Sequence, residues 1–306
     1  MRRSTKTLLA LLAVTALVAA ACGGDDDDTG GAPADAPEVV IGAQDFGESA
    51  ILAEIYKQGL EAKGFEVSIQ ALGGFRPLEI PAFDDGTINF APEYAASMLE
   101  YLNNPTNGEA SGDAAATVAK LQTYLTPKGL VALEVSDAVD TNAFVVKKAT
   151  ADRLGLKSLS DLAAKGKDLV LGAPSDCATN PFCMPGLRST YGLDLSAKFK
   201  ALETGQIVPA LDADQIDVAV LFSTDSQIKT KGYVLLTDDK SLLAADNVVP
   251  VVSDELAEID ELTEAINAIS KALTTAKLID LNARYDVDKE DAADIAADFL
   301  EDAGLD

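Results

Sequence analysis

The chain has 306 residues, of which 48% are hydrophobic and 24% charged, a composition typical of a globular protein with room for two domains. Its formal net charge of −26 at pH 7 argues against nucleic acid and anionic lipid surfaces as partners. It contains no histidine, so the commonest zinc ligand and the usual general base are both missing. We therefore expect neither a metal site nor a cofactor.

The beginning of the chain has the pattern of a targeting segment. A basic start (MRRSTK) precedes an apolar run over residues 8–18, and three alanines then precede Cys22. A cysteine directly after such small residues resembles the acylation site of bacterial lipoproteins, and ordinary secretion with a coincidental cysteine is the alternative. Residues 23–37 are too rich in Gly, Asp, Ala and Pro to bury a core. We predict a signal peptide over residues 1–21, then a lipidated cysteine and a flexible tether over residues 22–37.

The two other cysteines, Cys177 and Cys183, are six positions apart. In an exported protein this spacing favours a small disulfide-bonded loop over a metal site. By chain entropy so short a loop adds only about 2 kcal/mol to stability. We expect the bond to matter mainly by making the loop rigid.

The first half of the chain alternates between strand and helix patterns. Strands are predicted over residues 38–43, 65–72, 87–91 and 130–135, and helices from Ser49, near Arg76, from Tyr94 and over residues 114–125. This alternation is typical of helices packed around a mostly parallel sheet. Residues 137–142 then have the composition of a crossing to a second lobe.

The second half repeats the alternation and ends in helices. Strands are predicted over residues 144–147, 169–173, 198–202, 216–222 and 233–236, a return crossing over 246–252, and helices over 256–273, 276–285 and 288–303. We expect the last helices to pack on the first lobe. The predicted lobes are residues 38–140 with 248–306, and residues 141–247. Two crossings make a hinge, so we expect the lobes to close around a ligand.

An internal repeat supports two similar lobes. Residues 81–94 (PAFDDGTINFAPEY) match residues 209–222 (PALDADQIDVAVLF) at five positions, 128 residues apart. VVIGA at residues 39–43 likewise resembles LVLGA at residues 169–173. Both longer copies end on an aromatic residue, Tyr94 or Phe222. Because such sheets bind ligands beyond the carboxyl ends of their strands, we predict that these two rings face each other across a cleft, which the turn after the first strand also lines.

Six segments resemble, in order, the solute-binding lipoproteins of ABC transporters for glycine betaine, choline and related osmoprotectants. They are IGAQDFGES at 41–49, DDGTINFAPEY at 84–94, DTNAFVV at 140–146, CATNPFCMPGL at 177–187, VAVLFSTD at 218–225 and ADNVVPVV at 245–252. The resemblance covers about residues 38–302. It implies an α/β, two-lobed fold like that of type II periplasmic binding proteins, with a cleft between the lobes. It also implies that aromatic faces surround a quaternary ammonium group.

The resemblance implies roles for particular residues by position. Tyr94 and Phe222 would be aromatic faces of the cage, with core packing as the alternative for each. Gln44 would contact the ligand, or stabilise its own loop by a hydrogen bond. Asn142 and Thr224 would hydrogen-bond the polar end of the ligand, or fix the hinge and a helix start.

This chain also departs from the family pattern. Residues 134–138 lack an aromatic residue that many members have, and the loop over 177–183 lacks the family's tyrosine and arginine. Phe182 could replace the missing face, with packing at the rim as the alternative. Asn180 in place of arginine makes a tight carboxylate clamp doubtful. Arg76 could serve a ligand carboxylate, although a structural ion pair is favoured.

The predicted function is an extracytoplasmic, membrane-anchored and monomeric solute-binding component of an ABC importer. Its partners would be a small solute such as glycine betaine, choline or another quaternary ammonium compound, and a permease with its ATPase. A different small polar solute, or a sensor role, is the alternative. An enzyme is not favoured, because no paired-carboxylate, phosphate-binding or activated-nucleophile motif is present.

Overall fold

The computed structural model describes residues 32–33, 36–106, 108–244 and 246–306. The predicted signal peptide, the predicted lipidation site at Cys22 and most of the predicted tether lie outside these residues. Within the described ranges, no helix is both long enough and apolar enough to cross a bilayer.

The first part of the chain alternates strands and helices up to residue 132. Its elements are β1 (Val39–Ala43), α1 (Gly47–Glu61), β2 (Val67–Ala71), α2 (Arg76–Asp84), β3 (Phe90–Tyr94), α3 (Ala95–Leu102), α4 (Ala114–Leu125) and β4 (Leu130–Ala132). β1 is buried almost throughout, as expected for an apolar run in a sheet covered on both faces.

The rest of the chain continues the alternation and then becomes helical. The elements are β5 (Asn142–Val146), α5 (Lys148–Leu154), α6 (Leu159–Lys165), β6 (Leu171–Ala173), α7 (Met184–Tyr191), β7 (Phe199–Ala201), α8 (Thr204–Asp212), β8 (Val218–Phe222), α9 (Gln227–Thr230), β9 (Val234–Leu235), β10 (Val248–Ser253), α10 (Asp254–Ala257), α11 (Asp260–Ala272), α12 (Thr275–Ala283) and α13 (Ala292–Ala303).

These strands form two five-stranded sheets with the same plan. The first has the order β2-β1-β3-β10-β4 and the second β7-β6-β8-β5-β9. In each sheet the fourth strand runs antiparallel to both of its neighbours, and the first three are parallel. The α/β two-lobed fold is thus confirmed. We call the first sheet with its helices the first lobe, and the second sheet with its helices the second lobe.

The core of the first lobe lies on both faces of its sheet. One face packs against α1, which in turn contacts α11, α12 and α13. The other face packs against α2, α3 and α4. The C-terminal helices therefore lie on the first lobe although they follow the second in the chain.

The internal repeat corresponds to equivalent elements of the two lobes. α2 and α8 begin and end 128 residues apart, and so do β3 and β8. The shorter repeat places Gly42 in β1 and Gly172 in β6. A Cβ on Gly42 would lie 2.6 Å from Ile88 Cδ1, and a Cβ on Gly172 would collide with Ile216 in the same way. In both lobes, therefore, the absence of a Cβ on this glycine leaves room for an isoleucine side chain to pack against the strand.

One predicted strand and one predicted crossing differ from the structure. The strand predicted over residues 87–91 lies instead at Phe90–Tyr94. Just before this strand, the contact with β1 includes a side chain, because Asn89 Oδ1 accepts from Val40 N at 2.7 Å. The return crossing predicted over residues 246–252 is mostly β10, a buried strand in the middle of the first sheet. Proline is rare in central strands because it cannot donate to the ladder. Here Pro250 lies opposite Pro92, and its carbonyl accepts from Leu133 N at 2.9 Å.

The predicted helix over residues 256–273 is also interrupted. α10 ends at Ala257 and α11 begins at Asp260, because Ile259 has an extended backbone. The two crossings themselves run side by side. Asp140 N donates to Asp246 O at 2.9 Å, and Val139 pairs with Asn247 in antiparallel sense.

The glycine in β6 provides a test of this packing. We expect Gly172→Ala to lower the free energy of unfolding by about 1–3 kcal/mol, because the added methyl overpacks against Ile216. Adding Ile216→Val, which removes Cδ1, should recover part of that loss. The measurement is urea unfolding of both single variants and the double variant.

The matched control is Gly205→Ala in α8, where an added Cβ meets no atom within 4 Å. This change should leave stability unchanged or raise it slightly, since alanine is the better helix former. If the double variant loses as much unfolding free energy as the two single variants together, the packing of residue 172 against Ile216 is contradicted.

Candidate functional site

A cavity lies between the two sheets, at the carboxyl ends of β1, β3 and β8. It contains about 590 Å³ of space free of protein atoms, part of it open to solvent. Its walls include four of the predicted site residues: Gln44, Tyr94, Asn142 and Phe222.

Four aromatic rings form a continuous group in this cavity. The Phe46 ring stacks on Phe75 at 6.0 Å between centroids, and lies 6.1 Å from Tyr94 and 5.2 Å from Phe222. Phe46, Phe75 and Tyr94 belong to the first lobe and Phe222 to the second. The two rings predicted to face each other across the cleft are therefore connected through Phe46.

Tyr94 and Phe222 have different surroundings. Tyr94 is only 5% exposed, packs with the core of the first lobe, and donates its hydroxyl to Glu48 Oε1 at 2.7 Å. Burial first, and then the neighbouring Glu48 carboxylate, raise the pKa of Tyr94 well above its ordinary value. Phe222 is half-buried at the end of β8. Phe222 is thus the freer of the two rings.

Gln44 lies within a buried network of charged groups. Its Nε2 donates to Glu79 Oε2 at 2.8 Å and to Glu93 Oε1 at 2.9 Å. Arg76 Nη2 donates to Glu93 Oε2 at 2.6 Å, which is the structural ion pair favoured from the sequence. Burial, followed by repulsion from Glu93, raises the pKa of Glu79 well above its ordinary value. Arg76 balances the charge of only one of these two carboxyl groups.

This network is absent from the equivalent places in the second lobe. At the 128-residue offset, Arg76, Glu79 and Glu93 correspond to Thr204, Ile207 and Leu221, and the last two are buried apolar side chains. Apolar residues are thus sufficient to fill these positions of the shared fold. Burying charge there costs free energy unless it is fully paired, which points to a role beyond packing in the first lobe.

Two further carboxyl groups come from the crossings. Asp140 Oδ1 accepts from Ser223 Oγ at 3.1 Å and Thr224 N at 3.2 Å, and burial together with Glu48 raises its pKa well above the ordinary value. Asp246 Oδ1 accepts from Ala96 N at 2.7 Å at the start of α3. Burial raises the pKa of Asp246 to about 6, against the opposing effect of Arg76.

Thr224 contacts the first lobe and is not part of the cavity wall. Its hydroxyl donates to Glu48 Oε2 at 2.7 Å, and Asn282 Nδ2 donates to the same oxygen at 2.5 Å. Glu48 therefore connects the end of β8 with α1 and α12, deep in the cleft. Burial raises the pKa of Glu48, with the bonds from Thr224 and Tyr94 acting in the other direction.

The disulfide-bonded loop forms one wall of the cavity. Cys177 and Cys183 are bonded, with 5.1 Å between their Cα atoms, as predicted. Both cysteines and Asn180 line the cavity, and Asn142 Nδ2 donates to the carbonyl of Phe182 at 3.2 Å. Phe182 itself lines a separate surface depression beside α7.

Five residues in or beside the cavity were not predicted from the sequence: Phe46, Phe75, Glu48, Asp140 and Asp246. Phe46 could have been found, because it lies in the turn after β1, which was expected to line the cleft. Phe75 lies in the turn after β2. The three acids had no local signal, because each is placed by contacts with residues 46 to 234 positions away.

The sequence is similar to a known family and to binding proteins of transport systems. A family model described as the substrate-binding domain of ABC-type glycine betaine transport systems matches residues 37–302. The glycine-betaine-binding protein of Pseudomonas aeruginosa is 27% identical over 283 residues, covering 89% of this chain and 90% of that protein. The carnitine transport binding protein OpuCC of Listeria monocytogenes is 26% identical over 285 residues, covering 89% and 88%.

A solved structure has the same fold. Lactococcal OpuAC, in its closed-liganded conformation with glycine betaine, superposes with a TM-score of 0.63 at 13% identity, covering 88% of this chain and 97% of that one.

Because the pKa of Asp246 is raised, we expect the stability of the protein to depend on pH through this residue. Because the folded protein holds this proton more tightly than the unfolded chain, the contribution of Asp246 to stability falls as pH rises from about 4 through 6. Asp246→Asn removes this effect. The unfolding free energy of the wild type relative to this variant should fall by about 2 kcal/mol between pH 4 and pH 7.5.

The measurement is urea unfolding of both proteins at the two pH values, so that all other titrating groups cancel in the difference. A difference that is constant with pH, or that grows in favour of the wild type at pH 7.5, would contradict the burial of this carboxyl group.

Proposed function

This chain belongs to the family of substrate-binding domains of ABC-type glycine betaine transport systems, and we propose that it captures a small methylated-ammonium osmolyte in the cavity between its lobes. It then delivers this solute to a membrane permease driven by an ATPase. We further propose that the protein works as a monomer outside the cytoplasm, held to the membrane by a lipid on Cys22. The lobes, residues 38–140 with 248–306 and residues 141–247, would close on the solute.

The observation that carries the proposal is the group of aromatic rings contributed by both lobes. A methylated ammonium has no hydrogen atom to donate, so it is better held by flat π faces than by single acceptor atoms. Each face contributes about 0.5–2 kcal/mol, more when water is excluded. Phe46, Tyr94 and Phe222 offer such faces within one cavity.

The carboxyl groups around the rings support the same assignment. Asp140, Asp176 and Asp246 line the cavity, and a bound cation would favour the ionised forms of Asp140 and Asp246, whose pKa values burial raises. A cation bound among the rings gains attraction from these groups at short range and low dielectric.

The polar residues predicted to contact the ligand have different proposed roles. Asn142 lines the cavity and is a direct contact. Gln44 also lines it, but both of its N–H groups are engaged by Glu79 and Glu93, so it holds those carboxyl groups in place and offers the ligand only its oxygen. Thr224 acts through Glu48 as a link between the lobes. Phe182 is not part of the proposed cage, because its ring lines a different depression.

Phe222 gives the sharpest test, because it is less involved in the core than Tyr94. Phe222→Ala should weaken binding of the preferred quaternary ammonium ligand by roughly 2- to 30-fold, since one π face worth about 0.5–2 kcal/mol is lost. Phe222→Tyr keeps the face and should bind within a few-fold of wild type. Isothermal titration calorimetry with choline, glycine betaine and carnitine measures both effects.

Phe182→Ala is the matched control, an aromatic residue of the second lobe that lies outside the cavity. It should leave affinity unchanged. Full affinity in Phe222→Ala, or an equal loss in Phe182→Ala, would argue against the proposed cage.

A further inference from the structure

Glu48 receives hydrogen bonds from both lobes through its two carboxyl oxygens. Within the first lobe, Oε1 accepts from the Tyr94 hydroxyl at 2.7 Å. Oε2 accepts from the Thr224 hydroxyl of the second lobe, also at 2.7 Å. Asn282 Nδ2 in α12 donates to the same Oε2 at 2.5 Å and to the Thr224 hydroxyl oxygen at 3.1 Å. One side chain therefore contacts both a ring of the cavity wall and the opposite lobe.

The Glu48 carboxyl group depends on these donors. Glu48, Thr224 and Asn282 are each 5% exposed or less, so the protein supplies the hydrogen bonds that water would otherwise make. A buried carboxyl group that lacks donors is costly. If the second lobe moved away, Oε2 would lose the Thr224 hydroxyl, and water would take its place. The Thr224 hydroxyl thus offsets the loss of water that closure imposes on Glu48.

The fold itself does not require a hydroxyl at position 224. At the 128-residue offset, Ala96 occupies the equivalent place in the first lobe. Both residues donate their backbone N–H to an aspartate of a crossing, Ala96 N to Asp246 at 2.7 Å and Thr224 N to Asp140 at 3.2 Å. The contact that the two lobes share therefore uses the backbone alone. The side chain of Thr224 adds the contact with Glu48.

From these contacts we propose that Glu48 couples closure of the lobes to the aromatic cage. It is a positioning residue and does not line the cavity. Its Oε1 holds the Tyr94 ring in place, and its Oε2 gains the Thr224 hydroxyl when the second lobe closes. Opening, which releases the ligand, has to break this second bond. The inference rests on the proposed function and adds to it a residue that acts without touching the ligand.

Release kinetics test the closing contact. Choline, glycine betaine and carnitine are titrated into the purified protein, and release of the tightest-binding compound, in radiolabelled form, is followed by isotope dilution. Thr224→Val keeps the shape and loses the hydroxyl. It should raise the release rate about tenfold and change the association rate less than about threefold, because a buried acceptor loses its donor only in the closed form.

Two further variants at this position guard against a general structural effect. Thr224→Ser keeps the hydroxyl and should release the ligand at a rate close to that of the wild type. Thr224→Ala copies Ala96, which the fold accepts at the equivalent place, and should behave like Thr224→Val. Association and release rates are measured for all three variants.

The coupling itself is tested with Tyr94→Phe, which keeps the π face and removes the bond to Oε1. In this background Thr224→Val should raise the release rate by a smaller factor than in the wild type, because Glu48 is then held less firmly. Tyr56→Phe is the matched control: it removes a buried tyrosine hydroxyl that lies 2.9 Å from Ser270 Oγ inside the first lobe. It should lower stability and leave the release rate unchanged.

The outcomes separate this inference from the proposed function. A release rate that Thr224→Val leaves unchanged, or raises by the same factor with and without Tyr94→Phe, would overturn the inference and leave the proposed function standing. An equal increase in Thr224→Ser would also overturn it. A wild-type protein that binds none of the three compounds would overturn both.

Discussion

The structure depends on a set of carboxyl groups buried where the two lobes meet. Glu48, Glu79, Glu93, Asp140 and Asp246 are each 5% exposed or less, and the one cation in direct contact with them is Arg76, among the residues the structure describes. Such a group costs stability wherever its charge is not matched by a partner. The protein meets part of this cost with hydrogen bonds and part with raised pKa values. Under the proposed function, a bound cation would offset part of what remains, so the same groups that cost stability would favour binding.

The two lobes share a fold and differ in their chemistry. α2 and α8 have equivalent limits and each contains a proline, Pro81 or Pro209, and β3 and β8 each end on an aromatic residue. The charged side chains of the first lobe have apolar or small counterparts in the second. The first lobe therefore contributes the buried network of Arg76, Glu79 and Glu93, and the second lobe contributes the Phe222 ring and the disulfide-bonded loop. Closure of one half on the other would exclude water from between them, which strengthens both cation–π and charge interactions.

Much of this fold could be predicted from the sequence, because it depends on local patterns of strand and helix that occur in both copies of the internal repeat. The 128-residue offset aligned β3 with β8 and located Tyr94 and Phe222 at the ends of equivalent strands. Two strands contain residues that are unusual in buried strands: Pro250 interrupts the apolar run of β10, and Glu93 lies within β3. Both residues are explained only by tertiary contacts, since Pro250 lies opposite Pro92 and Glu93 forms an ion pair with Arg76.

The site was less predictable for the same reason. The position of Phe46 between Tyr94 and Phe222 follows from the way the turn after β1 meets β8, a contact between residues 176 positions apart. Gln44 lies in the cavity wall, but its partners Glu79 and Glu93 occupy both of its N–H groups and leave only its oxygen for a ligand. Side-chain partners, which no periodicity encodes, decide which groups in the cavity are free.

The central claim is that aromatic faces from both lobes hold a cation in this cavity, and a crystal structure of the protein grown with choline tests it most directly. The account predicts the quaternary nitrogen within about 6 Å of the ring centroids of Phe46, Tyr94 and Phe222. A choline bound elsewhere, with these three rings in contact only with one another, would contradict it.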